Sequence, residues 1–236
     1  MPSSQLIDDV TDRAFPKATT KFLRTLRDNN DRAWFDAHRD EYHAAYVEPA
    51  KAFVSAVAPA LERIAPGIHA EPRILASIFR INRDTRFTKD KRPYKDHLDL
   101  WFWEGERKTA VSGFFLRISP ALVGIGAGSH GFDRDALMRF RAAAADPDRG
   151  DELLAVADDL ERQGFEIGGE RYARVPRDVD VDADDPAARF LRHGALNVHH
   201  EEPAKLASDA ERLMATCVDI WSRLAPLHRW LVQHVQ

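Results

Sequence analysis

The sequence holds very little cysteine: Cys217 is the single one among 236 residues. One cysteine excludes a disulfide framework within the chain and any zinc site built from several thiolates. The chain also lacks a run of about 18 apolar residues, which a membrane-spanning helix needs. Residues 1–12 have no basic start followed by an apolar stretch, as a secretory signal would. We therefore expect a soluble, cytoplasmic protein.

Short motifs of known chemistry are also missing, since no nucleophile elbow, P-loop or zinc-protease motif occurs. Gly126–Gly131 fits a dinucleotide fingerprint, but a turn and a second helix follow its helix where a parallel strand is required. His199 and His200 are adjacent, and on a strand they would point to opposite faces. Ser77 and Ser112 have no histidine nearby in sequence, so a catalytic triad would have to be assembled in space. We predict no nucleotide cofactor and no metal, and the sequence identifies no reaction.

Charge of one sign does not dominate the chain, whose formal net charge is −4. This balance argues against bulk electrostatic attraction to DNA or to anionic lipid. The distribution is uneven, because residues 146–186 hold fourteen acidic residues against five arginines, whereas residues 73–95 hold eight cationic residues against two aspartates. We interpret the acidic part as a solvated face and the basic part as a place where an anion could bind.

Hydrophobic periodicity predicts helices in the first third of the chain and strands after it. Apolar residues at helical spacing occur within residues 22–64, where Pro59 should kink or interrupt a helix. The period then changes from 3.6 to 2, and strands are predicted at residues 75–81, 98–103, 111–118 and 122–125. Short connections between these strands favour antiparallel pairing.

The second half of the chain returns to helical patterns. The predicted elements are helices at residues 133–145, about 151–163 and from 203 onward, a turn cluster at 146–150, and short strands at 171–175 and 196–200. Asp133 should cap the first of these helices, and Pro226 should kink or split the last. This order is typical of the α+β class. We predict one α+β domain at residues 13–236, with a central, mainly antiparallel sheet flanked by N-terminal and C-terminal helices, after a loose N-terminus at residues 1–12.

The basic segment at residues 79–95 is the strongest candidate site. Arginine offers a planar fork of donors that suits phosphate or carboxylate, and Asp84 could hold Arg83 or Arg86 in one rotamer. At least two of Arg80, Arg83 and Arg86 should therefore bond to carboxylates or backbone carbonyls. We predict that a small anionic ligand is recognised at the end of a strand, and that the binding residues are Arg80, Asn82, Arg83, Asp84, Arg86, Asp90, Lys91, Tyr94, Lys95, Asn30 and Arg32.

Other interpretations of the same segment remain. The arginines and aspartates could form a structural salt-bridged loop that ties strands to helices. The segment could instead be a surface for nucleic acid, which the net charge does not favour, or belong to an interaction module without a ligand. Asn30 and Arg32 have a structural alternative too, because Asn30 or Asp31 can cap a helix whose Trp34 and Phe35 enter the core.

Three stretches carry a resemblance to a known family: Asn-Asn-Asp-Arg-Ala-Trp-Phe at residues 29–35, Arg-Ile-Asn-Arg-Asp-Thr-Arg-Phe at 80–87, and Asp-Lys-Arg-Pro-Tyr-Lys at 90–95. Together they resemble a widespread family of uncharacterised proteins, the domain of unknown function 2461. The resemblance extends over residues 15–230 and departs from the family pattern at residues 129–132. It implies a single α+β domain, and it implies no activity.

Overall fold

The computed structural model describes residues 17–109, 111–175 and 186–236. The predicted loose N-terminus at residues 1–12 lies outside these ranges, as does most of the acidic part after residue 175. No helix within the described ranges is long and apolar enough to cross a membrane.

The N-terminal part of the chain is helical, with helices α1 (Lys17–Asp28), α2 (Arg32–Ala37), α3 (Arg39–Tyr42) and α4 (Glu48–Ile64). The helix that the sequence predicts after residue 30 is broken at His38, and a π-helical turn at His43–Val47 joins α3 to α4. Asp31 caps α2, since its side chain accepts a hydrogen bond of 2.9 Å from the backbone nitrogen of Trp34. The side-chain oxygen satisfies one of the free N–H groups of the first turn.

Three further helices follow: α5 (Arg134–Ala144), α6 (Pro147–Arg162) and α7 (Ala210–Val235). Asp133 caps α5 as predicted. The predicted turn at residues 146–150 is wrong, because Asp146 caps α6 and Pro147 occupies its first position, where a missing N–H costs nothing.

Neither internal proline ends its helix. Pro59 lies inside α4 and Pro226 lies inside α7, so of the kink or break that the sequence predicts at each, the break does not occur. Both helices bury an apolar face along their length. The packing of that face stabilises a helix more than a single missing hydrogen bond weakens it, since most helical stability in proteins comes from tertiary contacts.

A six-stranded sheet forms the centre of the fold. Its strands are β1 (Ile68–His69), β2 (Leu98–Glu104), β3 (Gly113–Ile118), β4 (Leu122–Ser129), β5 (Ile167–Glu170) and β6 (His193–Pro203). Their order is β1-β2-β3-β4-β6-β5, and every neighbouring pair is antiparallel. The predicted α+β domain, with a central antiparallel sheet and with helices N-terminal and C-terminal to it in the chain, is thereby confirmed.

Side chains alternate between the two faces of this sheet. One face is apolar and packs on α7. There the ring centroid of Trp221 lies 5.4 Å from that of Phe102 and 6.1 Å from that of Phe114. The opposite face, which we call the open face, carries the alternate residues of the same strands, including Asp99 on β2 and Arg117 on β3.

Two predicted strands are wrong. Residues 75–81 lie beside β2 but make only isolated bridges, one of which joins Ile78 to Leu100. Leu75 has a positive φ of 68°, which bends the backbone out of the extended form that a strand needs. Residues 171–175 are irregular, and the strand in this part of the chain is β5.

Candidate functional site

A cavity of about 580 Å³ opens on the open face of the sheet. The strands present alternate residues to it, and aromatic rings and polar groups share its wall. The lining side chains that matter below are Phe79, Asp99, Trp101, Phe115, Arg117, Ser129, His130 and His199. The combination of a concave, mostly apolar wall with a few convergent polar groups is typical of small-molecule sites.

Glycines at alternate positions of β4 lie next to this cavity. A Cβ atom on Gly126 would lie 2.2 Å from Cζ of Phe115, and one on Gly124 would lie 2.6 Å from Cε1 of His199. The missing side chains therefore allow both rings to lie directly on the strand. The rings of Phe115 and His199 are stacked, with centroids 5.6 Å apart and an angle of 13° between their planes. The glycine-rich stretch thus brings aromatic rings close to the backbone.

Asp99 is the centre of the charge network at the cavity. It accepts hydrogen bonds from Nε of Arg117 at 2.7 Å and from Nη2 of the same side chain at 3.2 Å. Lys95 Nζ lies 3.4 Å from its carboxylate, and His97 Nε2 lies 3.3 Å from it. Burial raises the pKa of Asp99, but the hydrogen bonds from His97 and Arg117 outweigh burial and hold the pKa well below its usual range. Asp99 is therefore ionised and fixes the guanidinium of Arg117.

Arg107 lies against the aromatic part of the wall. Its guanidinium carbon lies 5.8 Å from the ring centroid of Phe79, 5.5 Å from that of Trp101 and 5.4 Å from that of Trp103. Nη2 donates to the carbonyl of Ala76 at 3.1 Å, and Nε is buried without a hydrogen-bond partner among the described atoms. A cation over an aromatic face is stabilised by the ring quadrupole.

His130 is a neutral polar group of the wall. Its ring centroid lies 4.7 Å from that of Phe115. Partial burial and the nearby charge of Arg117 lower the pKa of His130, so the ring is neutral at pH 7. Arg171 donates a hydrogen bond to the carbonyl of His130 and adds another cation beside the cavity.

A second cavity of about 270 Å³ adjoins the first. Arg117 and His199 line both of them, so these two side chains stand between the cavities. The wall of the second cavity includes the polar side chains of Asp96, His97 and Ser119, and it also includes the apolar residues 120–122. The open face therefore offers one partly aromatic space and one space of mixed polarity, with Arg117 and His199 between them.

The basic segment that the sequence singles out forms its own network. Arg83 donates to Asp90 at 2.8 Å and to the carbonyl of Arg92 at 3.1 Å. Arg86 pairs with Asp84 at 2.7 Å. The expectation that at least two of the three arginines bond to carboxylates or carbonyls is confirmed, and Asp84 holds Arg86. Hydrogen bonds from the arginine side chains and backbone lower the pKa of Asp84 to about 2 and hold that of Asp90 below its usual range.

Asn30 ties this segment to the N-terminal helices. Its side-chain amide donates to the carbonyl of Tyr94 and accepts from the nitrogen of Tyr94, each at 3.0 Å. The Tyr94 ring is buried and stacks on Phe35 with a centroid distance of 4.1 Å. Burial raises the pKa of the Tyr94 phenol. Asn30 and Tyr94 therefore hold the backbone of the segment in place.

We expect Asn30→Ala to lower the free energy of unfolding by about 2 kcal/mol, because two hydrogen bonds are lost and two backbone groups of Tyr94 lose their partner. Asp31→Ala, which removes only the cap of α2, should cost about 1 kcal/mol. Urea titrations of the two variants check the difference. Equal losses would contradict the assigned role of Asn30.

Among the predicted binding residues, Lys95 reaches the cavity through its contact with Asp99. The remaining ones do not line it: Arg80, Asn82, Arg83, Asp84, Arg86, Asp90, Lys91, Tyr94, Asn30 and Arg32. The sequence analysis misses Arg117, His130 and Trp101. One signal was present, since glycine recurs at positions 124, 126 and 128 and marks a strand with no side chains on one face.

A serine, a histidine and a glutamate do come together in space. His228 Nδ1 lies 2.9 Å from Oγ of Ser112, and its Nε2 lies 3.3 Å from Oε2 of Glu104. A carboxylate only accepts, so Nε2–H donates to Glu104 and Nδ1 accepts from the serine hydroxyl. Ser112 and His228 are each 1% exposed. A substrate cannot reach the hydroxyl, and the three residues act as a structural link between α7 and the sheet.

Comparison with known proteins identifies the family of this chain. No curated protein and no solved structure matches the chain at a significant level. A family model described as conserved hypothetical protein (DUF2461) matches residues 18–230, which include the whole sheet and the open face described above. The chain therefore belongs to the DUF2461 family of conserved hypothetical proteins.

Proposed function

We propose that the cavity on the open face binds a small organic acid that has a flat, apolar body. The observation that carries this proposal is the position of Arg117, whose side chain lines the cavity and is 47% exposed while Asp99 fixes its guanidinium from one side. In this proposal the anionic ligand binds in the cavity and not at the basic segment. Of the predicted binding residues, Lys95 reaches the cavity through its contact with Asp99.

Charge favours an anion here. Arg117 lines the cavity, and Lys95, Arg107 and Arg171 each contact residues that line it. Asp99 is the one carboxylate among the lining residues. Asp99 accepts hydrogen bonds from Nε and Nη2 of Arg117, and Nη1 has no hydrogen bond to any described residue. An incoming carboxylate or phosphate can therefore bond to a guanidinium that is already oriented, which lowers the entropy cost of binding.

The rings favour a flat body. Phe115 and His199 are nearly parallel, and Trp101 and Phe79 complete an aromatic wall. Flat groups bind such walls by offset stacking, which adds to the gain from burying apolar area. The volume of about 580 Å³ lies within the range of small-molecule sites. The Ser129 hydroxyl and the neutral His130 ring offer further polar contacts.

Calorimetric titration with benzoate, nicotinate and phenyl phosphate tests the proposal. We expect at least one of these anions to bind saturably, and benzyl alcohol and acetate to bind more weakly, because each lacks one of the two recognised features. Arg117→Ala should weaken binding roughly 10-fold to 150-fold, the effect of losing a hydrogen bond to a charged group. The variant should stay folded, since the Arg117 side chain is half exposed.

Arg39→Ala is the matched control. Arg39 also forms a two-pronged pair with an aspartate, with Nε 3.1 Å and Nη2 2.7 Å from Asp36, but it does not line the cavity. This variant should bind like the wild type. Equal weakening in both variants, or no binding of any aromatic anion to the wild type, would contradict the proposal.

A further inference from the structure

The basic loop, which we define as residues 80–92, carries an aromatic side chain in open solvent. Phe87 is 92% exposed, more than the other exposed large hydrophobic residues in the described part of the chain, which are Leu75 at 62%, Met138 at 56% and Tyr172 at 41%. Exposure of a whole phenyl ring costs free energy in water. Single exposed apolar residues are common on protein surfaces, so this ring points to a binding site only together with the charges of its loop.

Hydrogen bonds constrain the backbone of the basic loop, which carries Phe87. Two backbone hydrogen bonds of 2.8 Å close it, from Arg83 to the carbonyl of Pro93 and from Lys95 to the carbonyl of Ile81. Inside the loop, Arg83 pairs with Asp90. Lys91 Nζ donates to the carbonyl of Thr85 at 2.9 Å. The ends and the middle of the loop are therefore cross-linked, and binding there would cost little ordering entropy.

The loop that carries the exposed ring is rich in cations. The basic loop holds six cationic residues against two aspartates. The aspartates orient their partners without burying them, since the side chains of Arg86 and Arg92 remain 76% and 50% exposed. The Arg86 guanidinium lies 5.4 Å from the ring centroid of Phe87. At this level of exposure the other face of the ring stays open to a ligand.

We propose that the basic loop docks single-stranded nucleic acid, with an unpaired base stacked on Phe87 and phosphates bound by Arg86, Lys89 and Arg92. A single strand alternates flat bases with anionic phosphates. This pattern suits a surface on which an aromatic ring lies near cations, as in other single-strand binding surfaces. A duplex fits less well, because its bases are already stacked and the loop offers neither a helix nor a strand pair to a groove.

The net charge of −4 does not prevent this binding. At physiological ionic strength charges are screened beyond about 8 Å, so acidic residues elsewhere contribute little at the loop. Three phosphate contacts predict a slope of log K against log salt of about −2 for a single strand. This surface is separate from the cavity, because no residue of the basic loop lines it.

Fluorescence anisotropy with labelled twelve-residue oligothymidine at 50 to 200 mM NaCl tests the proposal. We expect saturable binding with the slope given above. Phe87→Ala should weaken binding roughly 5-fold to 150-fold with an unchanged slope, since only stacking is lost. Lys89→Ala should make the slope shallower by about 0.7. Met138→Ala, which removes an exposed apolar side chain outside the basic loop, should bind like the wild type.

Three further probes separate the alternatives. The wild type should bind an abasic strand of equal charge as weakly as the Phe87→Ala variant binds oligothymidine. Equal affinity of the wild type for the abasic strand and for oligothymidine would overturn the stacking contact. Tighter binding of a duplex would overturn the single-strand assignment. Sedimentation with phosphatidylserine vesicles that depends on Phe87, without oligonucleotide binding, would assign the loop to a membrane surface instead. Arg117→Ala should leave the anisotropy unchanged.

Discussion

Gly128→Ala is expected to lower the free energy of unfolding by about 3 kcal/mol. Gly128 has a φ of +111°, a conformation that residues with a side chain rarely adopt. A Cβ atom there would lie 2.3 Å from the carbonyl oxygen of Leu196 and 2.8 Å from the Cα atom of Asn197. Both are backbone atoms of β6, which pairs with β4 at this position. Relief of the clash would therefore separate two central strands.

Gly164→Ala separates the clash from the backbone strain. Gly164 has a similar φ of +86°, and a Cβ atom there would meet nothing within 4 Å. We expect a loss of about 1 kcal/mol from strain alone. Urea titrations of both variants give the difference. Equal losses would mean that β4 and β6 tolerate the methyl group, which would contradict the close packing of the strands beside the cavity.

Acidification from pH 7 to pH 4.5 is expected to lower the free energy of unfolding, with a contribution of up to about 3 kcal/mol from His228. Burial, with a smaller contribution from Arg229, lowers the pKa of His228 from 6.5 to about 4. Between those two values the unfolded chain binds a proton that the folded chain does not. Stability is therefore present above pH 6.5 and is lost as the pH falls toward 4.

Other groups modify this pH dependence. Burial also lowers the pKa of His130 and of His193, so both contribute with the same sign. Burial and the charge of Glu62 raise the pKa of Glu104, which contributes with the opposite sign and reduces the total. The aspartates with lowered pKa values, such as Asp84, lose their contribution only below their ordinary value of 3.8. The window from 4.5 to 7 therefore reports mainly the histidines.

Denaturant titrations at several pH values in this window measure the effect for the wild type and for His228→Gln. We expect the variant to be less stable at pH 7 and to show a shallower pH dependence. His43→Gln, at an exposed position of the π-helical turn, should keep the slope of the wild type. A slope that is the same in all three proteins would exclude His228 as the buried group that titrates.

The sequence predicts the fold class well and several element boundaries poorly. The antiparallel strands β2, β3 and β4 follow from alternating apolar residues, because a one-residue shift would expose a whole apolar face. Residues 75–81 also alternate, yet they form no strand, since the turn at Leu75 bends the backbone. Pro59 and Pro226 are local signals for helix breaks, and tertiary packing overrides both.

The candidate site was harder to predict than the fold. The sequence draws attention to the basic segment because its cations are contiguous, and contiguous residues are what a linear pattern can show. The cavity collects its polar groups from separate strands, with Asp99 on β2, Arg117 on β3 and His199 on β6. Each of them is unremarkable beside its own neighbours in the chain, so sequence analysis alone passes over Arg117 and His130.

The sequence by itself determined the α+β class, the antiparallel sheet and the concentration of cations in one loop, because hydrophobic periodicity and composition are local properties. Only the tertiary structure decided which charges are paired: Asp90 forms ion pairs with Arg83 and Arg92, and Asp99 forms one with Arg117. It also left Phe87 in solvent while it buried Tyr94. The physical reason is that pairing and burial depend on distances between strands and loops, and strand pairing sets those distances.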